Sequence, residues 1–253
     1  MPKELAVVVK VLLYKQSLIF FILILLISQN SYSQSAFYQS SKNKDIVLFS
    51  SSTLLFGSSF YFQKKTKPLS ESQVLSLKQS DVNHFDRIAC RFYSKKIAHI
   101  SDGLAISSLL FNSYYLFHKD TKKDFFKIEM VTLQSLLLSQ ALANSFKLTL
   151  RNRPFMYNQE VDMSEKLKTE SRLSFFSAHT STVSSLAFSF AFAHQLYFKN
   201  HKANPYILTG AIIIPAIQGY LRVRAGKHFP TDVITGYIVG LGSSYLIHKL
   251  HSR

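Results

Sequence analysis

Cysteine is almost absent: Cys90 is the one thiol in 253 residues. That excludes an intrachain disulfide and any zinc site built on cysteines, and Cys90 itself reads as a buried, inert thiol. Acidic side chains are scarce too, 14 against 30 Lys and Arg, which leaves a formal charge of +16. A surplus of that sign suits either nucleic acid or a membrane surface. No basic helix and no aromatic RNA-binding pattern occurs, so the cations read as loop anchors at lipid headgroups and nucleic acid is not an expected partner. Internal repeats and low-complexity linkers are missing as well. A transporter would need inverted repeats and broken mid-membrane helices, and neither is visible.

What the chain has in quantity is apolar residues, 47% of the total, gathered in blocks. Each block is close to the length of about 17 to 25 residues that a membrane-crossing helix needs. Residues 1–34 read as an export signal or an uncleaved anchor: Lys3, Lys10 and Lys15 precede the apolar run 18–27, and Ser31 and Ser33 supply small residues for cleavage. The segment 46–62 is interrupted by serines and is the weakest span, expected to lie on or dip into the membrane without crossing. Over 64–96, Val74, Leu75, Leu77, Val82, Phe85 and Ile88 recur at helical spacing, as in an amphipathic helix at the interface. Stronger spans follow at 97–117, 128–146, 178–198, 206–221 and 233–247, and inside lipid these must be helices.

The expected fold is therefore all-α, a polytopic membrane bundle of five to six helices after an N-terminal signal or anchor. Residues 1–34 form that signal or anchor, 35–96 the weak span and interfacial segment, and 97–253 the membrane-embedded core. The connections 118–127 and 199–205 are short, which makes neighbouring helices antiparallel. Their lysines favour the inner side of a membrane, and the chemistry then faces outward.

Three polar stretches interrupt the apolar pattern at span edges. His228 and Asp232 stand four apart, on one helical face if the helix has begun, with Pro230 and Thr231 suited to its first turn. A carboxylate there can hold one imidazole nitrogen and leave the other free to attack. Arg222 stands six residues earlier, where a guanidinium can grip phosphate oxygens. Upstream, Ser177-Ala178-His179 opens another helix, whose N-terminal N–H groups make an anion site. The small residue at 178 allows close approach, and His179 can protonate a leaving oxygen. Lys147 and Arg153, the latter followed by Pro154, add cations, with Arg151 able to substitute for either. The other histidines read as interfacial or packing residues, His99 with Asp102 excepted. Two imidazoles, one carboxylate and several cations suit phosphoryl transfer through a histidine nucleophile.

Together the stretches resemble the type 2 phosphatidate phosphatase superfamily, which includes glucose-6-phosphatase and vanadium haloperoxidases. Its pattern is Lys-x6-Arg-Pro, then Pro-Ser-Gly-His, then Ser-Arg-x5-His-x3-Asp. Arg222, His228 and Asp232 reproduce the third motif with both spacings intact. The resemblance implies that His228 is the nucleophile and forms a phosphohistidine, Asp232 orients it, and His179 is the general acid and later activates water. It implies that Lys147, Arg153, Ser177, the Ala178 backbone and Arg222 hold the phosphate, with no metal and no cofactor. Phe176 and Ala178 stand for the family's Pro and Gly, Leu221 for its Ser, and Lys147 precedes Arg153 with five intervening residues rather than six. On a continuous helix that last change turns the Lys147 side chain by about 100°.

The implied function is an integral membrane lipid phosphatase acting on a lipid phosphate or diphosphate, with the site facing the periplasm of a bacterial inner membrane. A lipid or sugar phosphotransferase of the same superfamily, and a non-catalytic lipid-binding protein with a degenerate site, are the competing readings. The choice among lipids and the oligomeric state are not legible in the sequence.

Overall fold

Serines at 50, 51 and 59 look like interruptions of an apolar run, yet each hydroxyl returns to the carbonyl four residues back at 2.6, 2.7 and 2.6 Å. Satisfied in this way, they do not break the backbone ladder. The result is an unbroken helix α1, Lys42–Lys64. The structure, a computed structural model, describes Tyr38 and residues 41–252; the export signal expected over 1–34 lies outside the described residues. Five more helices of 13 residues or more follow: α2 Lys95–Ser107, α3 Phe125–Phe146, α4 Ala178–Tyr197, α5 Asn204–Arg224 and α6 Pro230–His251.

Helices α1 and α6 are built largely inside out relative to a water-soluble bundle. The buried side chains of α1 are Asp45, Ser52, Ser59 and Gln63, while Ile46, Val47, Leu54 and Phe62 are exposed. In α6, Asp232, Ser243, Ser244, His248 and His251 are buried, and Ile234, Ile238, Tyr245 and Leu246 face outward. Polar groups satisfied within and aliphatic groups outside is the arrangement lipid favours. By length and composition together, α5 is the one helix among the described residues that qualifies as a membrane span.

Helix α4 is central, packing against α2, α3, α5 and α6. Its closest partner is α6, because a side chain at Gly236 or Gly240 would meet the Ser177 or Ser181 carbonyl oxygen at 2.5 Å. Small residues let the two backbones approach in this way. Helix α1 lies along α3. Near one end Gln134 Nε2 donates to Asp45 Oδ1 at 3.0 Å, and near the other Gln63 Nε2 donates to the Asn144 carbonyl at 2.6 Å. The segment 46–62 thus lies within a 23-residue helix packed along α3.

Two expectations change. The span at 97–117 is not continuous: α2 ends at Ser107, a 3-10 turn covers Ser108–Leu110, and a short helix covers Ser113–Phe117. Ser107, Ser108 and Ser113 bond carbonyls three residues back, which favours the tighter turn. Over 65–94 a continuous amphipathic helix is replaced by short turns at Glu71–Leu75, Gln79–Asp81 and Arg87–Arg91. Val74 packs with Phe155, Met156 and Val161, and Val82, Ala89 and Cys90 pack with Phe229. Val74 and Val82 of this segment thus pack against the loops that carry the motif stretches, while Leu75, Phe85 and Ile88 are exposed. Burial, then Asp86, pushes the Cys90 thiol up to about 11, as suits an inert packing residue.

Candidate active site

The three motif stretches meet at one end of the bundle, and the backbone ties them there. Helix α3 stops at Phe146, Lys147–Thr149 form a 3-10 turn, and Leu150 takes left-handed angles with φ of 56°. The chain then doubles back: Ser174 N donates to the Arg151 carbonyl at 2.9 Å and Arg153 N to the Ser171 carbonyl at 2.8 Å. Phe155 N reaches the Gly226 carbonyl at 3.2 Å, and Ser177 N the Asp232 carbonyl at 3.1 Å. Because the helix has ended before 148, the missing residue between Lys147 and Arg153 costs no helical rotation. Lys147 is half-buried, and its ammonium is held down to about 8 by burial, then by Arg153 and Arg222.

Asp232 is fully buried at the third position of α6, where Oδ2 accepts from Phe229 N at 2.9 Å and from Ser174 Oγ at 2.6 Å. Its Oδ1 accepts from Arg151 Nη1 at 2.5 Å. The other arm of Arg151 donates to Asp86 Oδ2 at 2.6 Å, so one guanidinium bridges two buried carboxylates. Asp86 also accepts from Thr231 N at 2.9 Å, Thr231 Oγ1 at 2.6 Å and Asn83 Nδ2 at 2.7 Å. Burial opposes its ionisation, but the bonds from Thr231, Asn83 and Arg151 outweigh that and hold its carboxyl below the ordinary range.

His228 is buried in the turn before α6, its Nδ1 3.6 Å from Asp232 Oδ2. That is ion-pair range and longer than a hydrogen bond, since Ser174 and Phe229 already occupy this oxygen. Burial, followed by the cations Arg153 and Arg222, then His179 and Lys147, holds the His228 imidazole well below its usual range. It is therefore neutral, the form with a lone pair to give. Arg153 donates to the carbonyls of Glu170 at 2.8 Å and Lys227 at 3.1 Å, bracing it against both flanking loops. Arg222 reaches Ser101 Oγ and Asp102 Oδ1, each at 2.8 Å, while its buried Nε has no partner among the described residues.

Ser177 caps α4: its Oγ accepts from Thr180 N at 3.3 Å and lies 2.9 Å from Thr180 Oγ1. Ala178 and His179 form the first turn beyond it, and His179 Nε2 lies 3.0 Å from Asp102 Oδ1. Lys147, Arg153, Ser177, Ala178, His179, Arg222, His228 and Asp232 thus converge on one end of the bundle. Absent from the sequence reading are Asp86 and Ser174, and Asp102 as the partner of His179 rather than of His99. Arg151 was read there only as a substitute cation. The pairings of Asp86 with Arg151 and of Asp102 with His179 and Arg222 span 65 residues or more, where no local spacing signals them.

Residues 129–253 match the PAP2 superfamily. The lipid A 4'-phosphatase of Porphyromonas gingivalis is 28% identical over 152 residues, 58% of this chain and 60% of the relative. The chain thus spans less than two thirds of the length of that curated relative. Among solved structures, Aquifex aeolicus LpxE is 19% identical with a TM-score of 0.46, covering 64% of this chain and 92% of that one. The PAP2-type phosphatidylglycerolphosphate phosphatase of Bacillus subtilis is also 19% identical, with a TM-score of 0.48, covering 82% and 95%. The matched region holds all three motif stretches, and residues 129–253 belong by it to the type 2 phosphatidate phosphatase superfamily.

Proposed function

We propose that the protein is an integral membrane, metal-independent phosphatase that removes phosphate from a lipid through a phosphohistidine. The observation that carries the reading is the buried, neutral His228 facing Lys147, Arg153 and Arg222, with His179 beside the same cations. Cations fixed in a low-dielectric site stabilise the charge that develops on a transferring phosphoryl group. Nε2 of His228 attacks phosphorus as the bond to the lipid oxygen breaks, and His179 gives that oxygen a proton. Water, deprotonated by the now neutral His179, then displaces His228 and releases inorganic phosphate. Asp232 faces Nδ1, where closure by a few tenths of an ångström on binding would make the orienting bond.

The polar-inward, aliphatic-outward helices favour a substrate whose phosphate sits at headgroup depth. Similarity to a lipid A 4'-phosphatase makes a lipid A phosphate the first candidate. The test is phosphate release by the purified full-length protein in detergent, with EDTA present, from lipid A, phosphatidate, phosphatidylglycerophosphate and polyprenyl diphosphate. Release from at least one supports the reading. Release from none sinks the hydrolase reading, and activity that needs an added divalent ion sinks metal independence.

A further inference from the structure

We infer that Asp102 is the positioning residue of His179, holding a hydrogen on Nε2 and so leaving Nδ1 as the nitrogen that gives and takes the transferred proton. Three helices fix the arrangement. On α2, the Ser101 carbonyl accepts from Gln218 Nε2 of α5 at 3.0 Å and Ser101 Oγ from Arg222 Nη1 at 2.8 Å, which pins the turn carrying Asp102. From there Asp102 Oδ1 lies 3.0 Å from Nε2 of His179 on α4 and 2.8 Å from Arg222 Nη1. A carboxylate can only accept, so the Nε2 it faces carries the hydrogen. The site therefore holds two His–Asp pairs, His228 with Asp232 and His179 with Asp102, one on each imidazole that the proposed mechanism uses.

The charges facing His179 explain why such a partner is needed. Arg222 comes from α5 and Lys147 from the end of α3, with neutral His228 in the turn before α6; Asp102 from α2 is the anion of the set. Cations that grip phosphate also disfavour a proton on a neighbouring imidazole, and a general acid must keep one. Asp102 supplies the opposing charge and selects the nitrogen. When the P–O bond breaks, the imidazolium passes the hydrogen on Nδ1 to the leaving oxygen and becomes the neutral Nε2–H ring that then takes a proton from water.

The inference rests on the hydrolase reading, and its test separates the two. In Asp102→Asn, turnover of a lipid phosphate, with its poor alkoxide leaving group, should fall about 10- to 100-fold, part of the about 10²–10⁴ a general acid contributes. Turnover of p-nitrophenyl phosphate, whose leaving group needs no proton, should change less than about threefold, and inhibition by vanadate should not change. Asp102→Glu should keep the leaving-group ratio near that of the unaltered protein. Independently of turnover, 15N-histidine NMR in detergent, assigned with His179→Gln, should show His179 protonated on Nε2 in the native protein. That preference should be lost in Asp102→Asn while the His228 signal stays in place, which certifies folding. Equal losses on both substrates, tighter vanadate binding, or an unchanged His179 tautomer would overturn the inference. Absence of all hydrolysis by the unaltered protein would instead remove the hydrolase reading, with the tautomer still reporting on the pair.

Discussion

Arg151→Met would leave Asp86 and Asp232 buried and facing each other without the cation that bridges them. Both carboxylates are fully buried, and the bridging bonds measure 2.6 and 2.5 Å. A hydrogen bond to a charged group contributes about 1.5–3 kcal/mol, and breaking a buried ion pair costs about 3–5 kcal/mol. The Arg151 side chain is 26% exposed, so water can partly replace it and the low end, about 3 kcal/mol, applies. Methionine keeps an apolar stem over the Phe229 ring, on which the guanidinium now stacks at 4.3 Å. Differential scanning fluorimetry in detergent should show a midpoint lower by about 6–12 °C, at about 2–4 °C per kcal/mol. Adding Asp86→Asn removes one stranded charge, so the double variant should be more stable than the two separate losses sum to, by about 1.5–3 kcal/mol. Asp86 also sets a sign with pH. Its folded value is depressed, so its contribution is present above about pH 3.9 and is lost as pH falls through the lower folded value. Arg151→Met should weaken that acid dependence. Strict additivity, or an unchanged midpoint in Arg151→Met, would refute the bridge as a stabilising element.

Gly236→Ala should cost about 1–3 kcal/mol and most of the activity, because its Cβ would sit 2.5 Å from the Ser177 carbonyl oxygen. Gly242→Ala, which meets nothing within 4 Å, should be silent in the same thermal and phosphate-release assays. Lys147 and Lys227 are each held down to about 8 by burial and neighbouring arginines, so kcat/KM should decline above about pH 8 as they lose charge. Replacing both with Arg should carry that limb to higher pH, and an unmoved limb would reject them as its source. Alkaline phosphatase fusions within residues 156–169 should be active and fusions after Arg253 inactive if the site faces outward; the reverse pattern places it inside.

Most helices were legible because apolar blocks of membrane length have few other solutions in lipid. The motif stretches were legible because Arg222, His228 and Asp232 sit within eleven residues of one another. What stayed hidden depends on distance along the chain. Asp86 meets Arg151 across 65 residues, and Asp102 meets Arg222 across 120, so neither pairing leaves a local pattern. The same holds at the far end, where His251 Nε2 pairs with Asp45 Oδ1 at 2.8 Å although no acidic residue is near it in sequence. The serines of α1 misled for another reason: composition counts a hydroxyl as polar, whereas in the helix it is spent on its own backbone. Gly236 and Gly240 mark the α4–α6 contact, but their spacing acquires meaning only once the facing carbonyls are known.

The central claim is that His228 takes the phosphoryl group. Acid-free quenching of the full-length protein during turnover of 32P-labelled lipid substrate, followed by peptide mass spectrometry, reads it directly. The account predicts an alkali-stable, acid-labile phosphate on the peptide containing His228, absent in His228→Ala; in His179→Ala it should form only from a substrate whose leaving group needs no proton, and then be longer-lived because water is no longer activated. Substantial hydrolysis by His228→Ala, or label on any other residue, would contradict it.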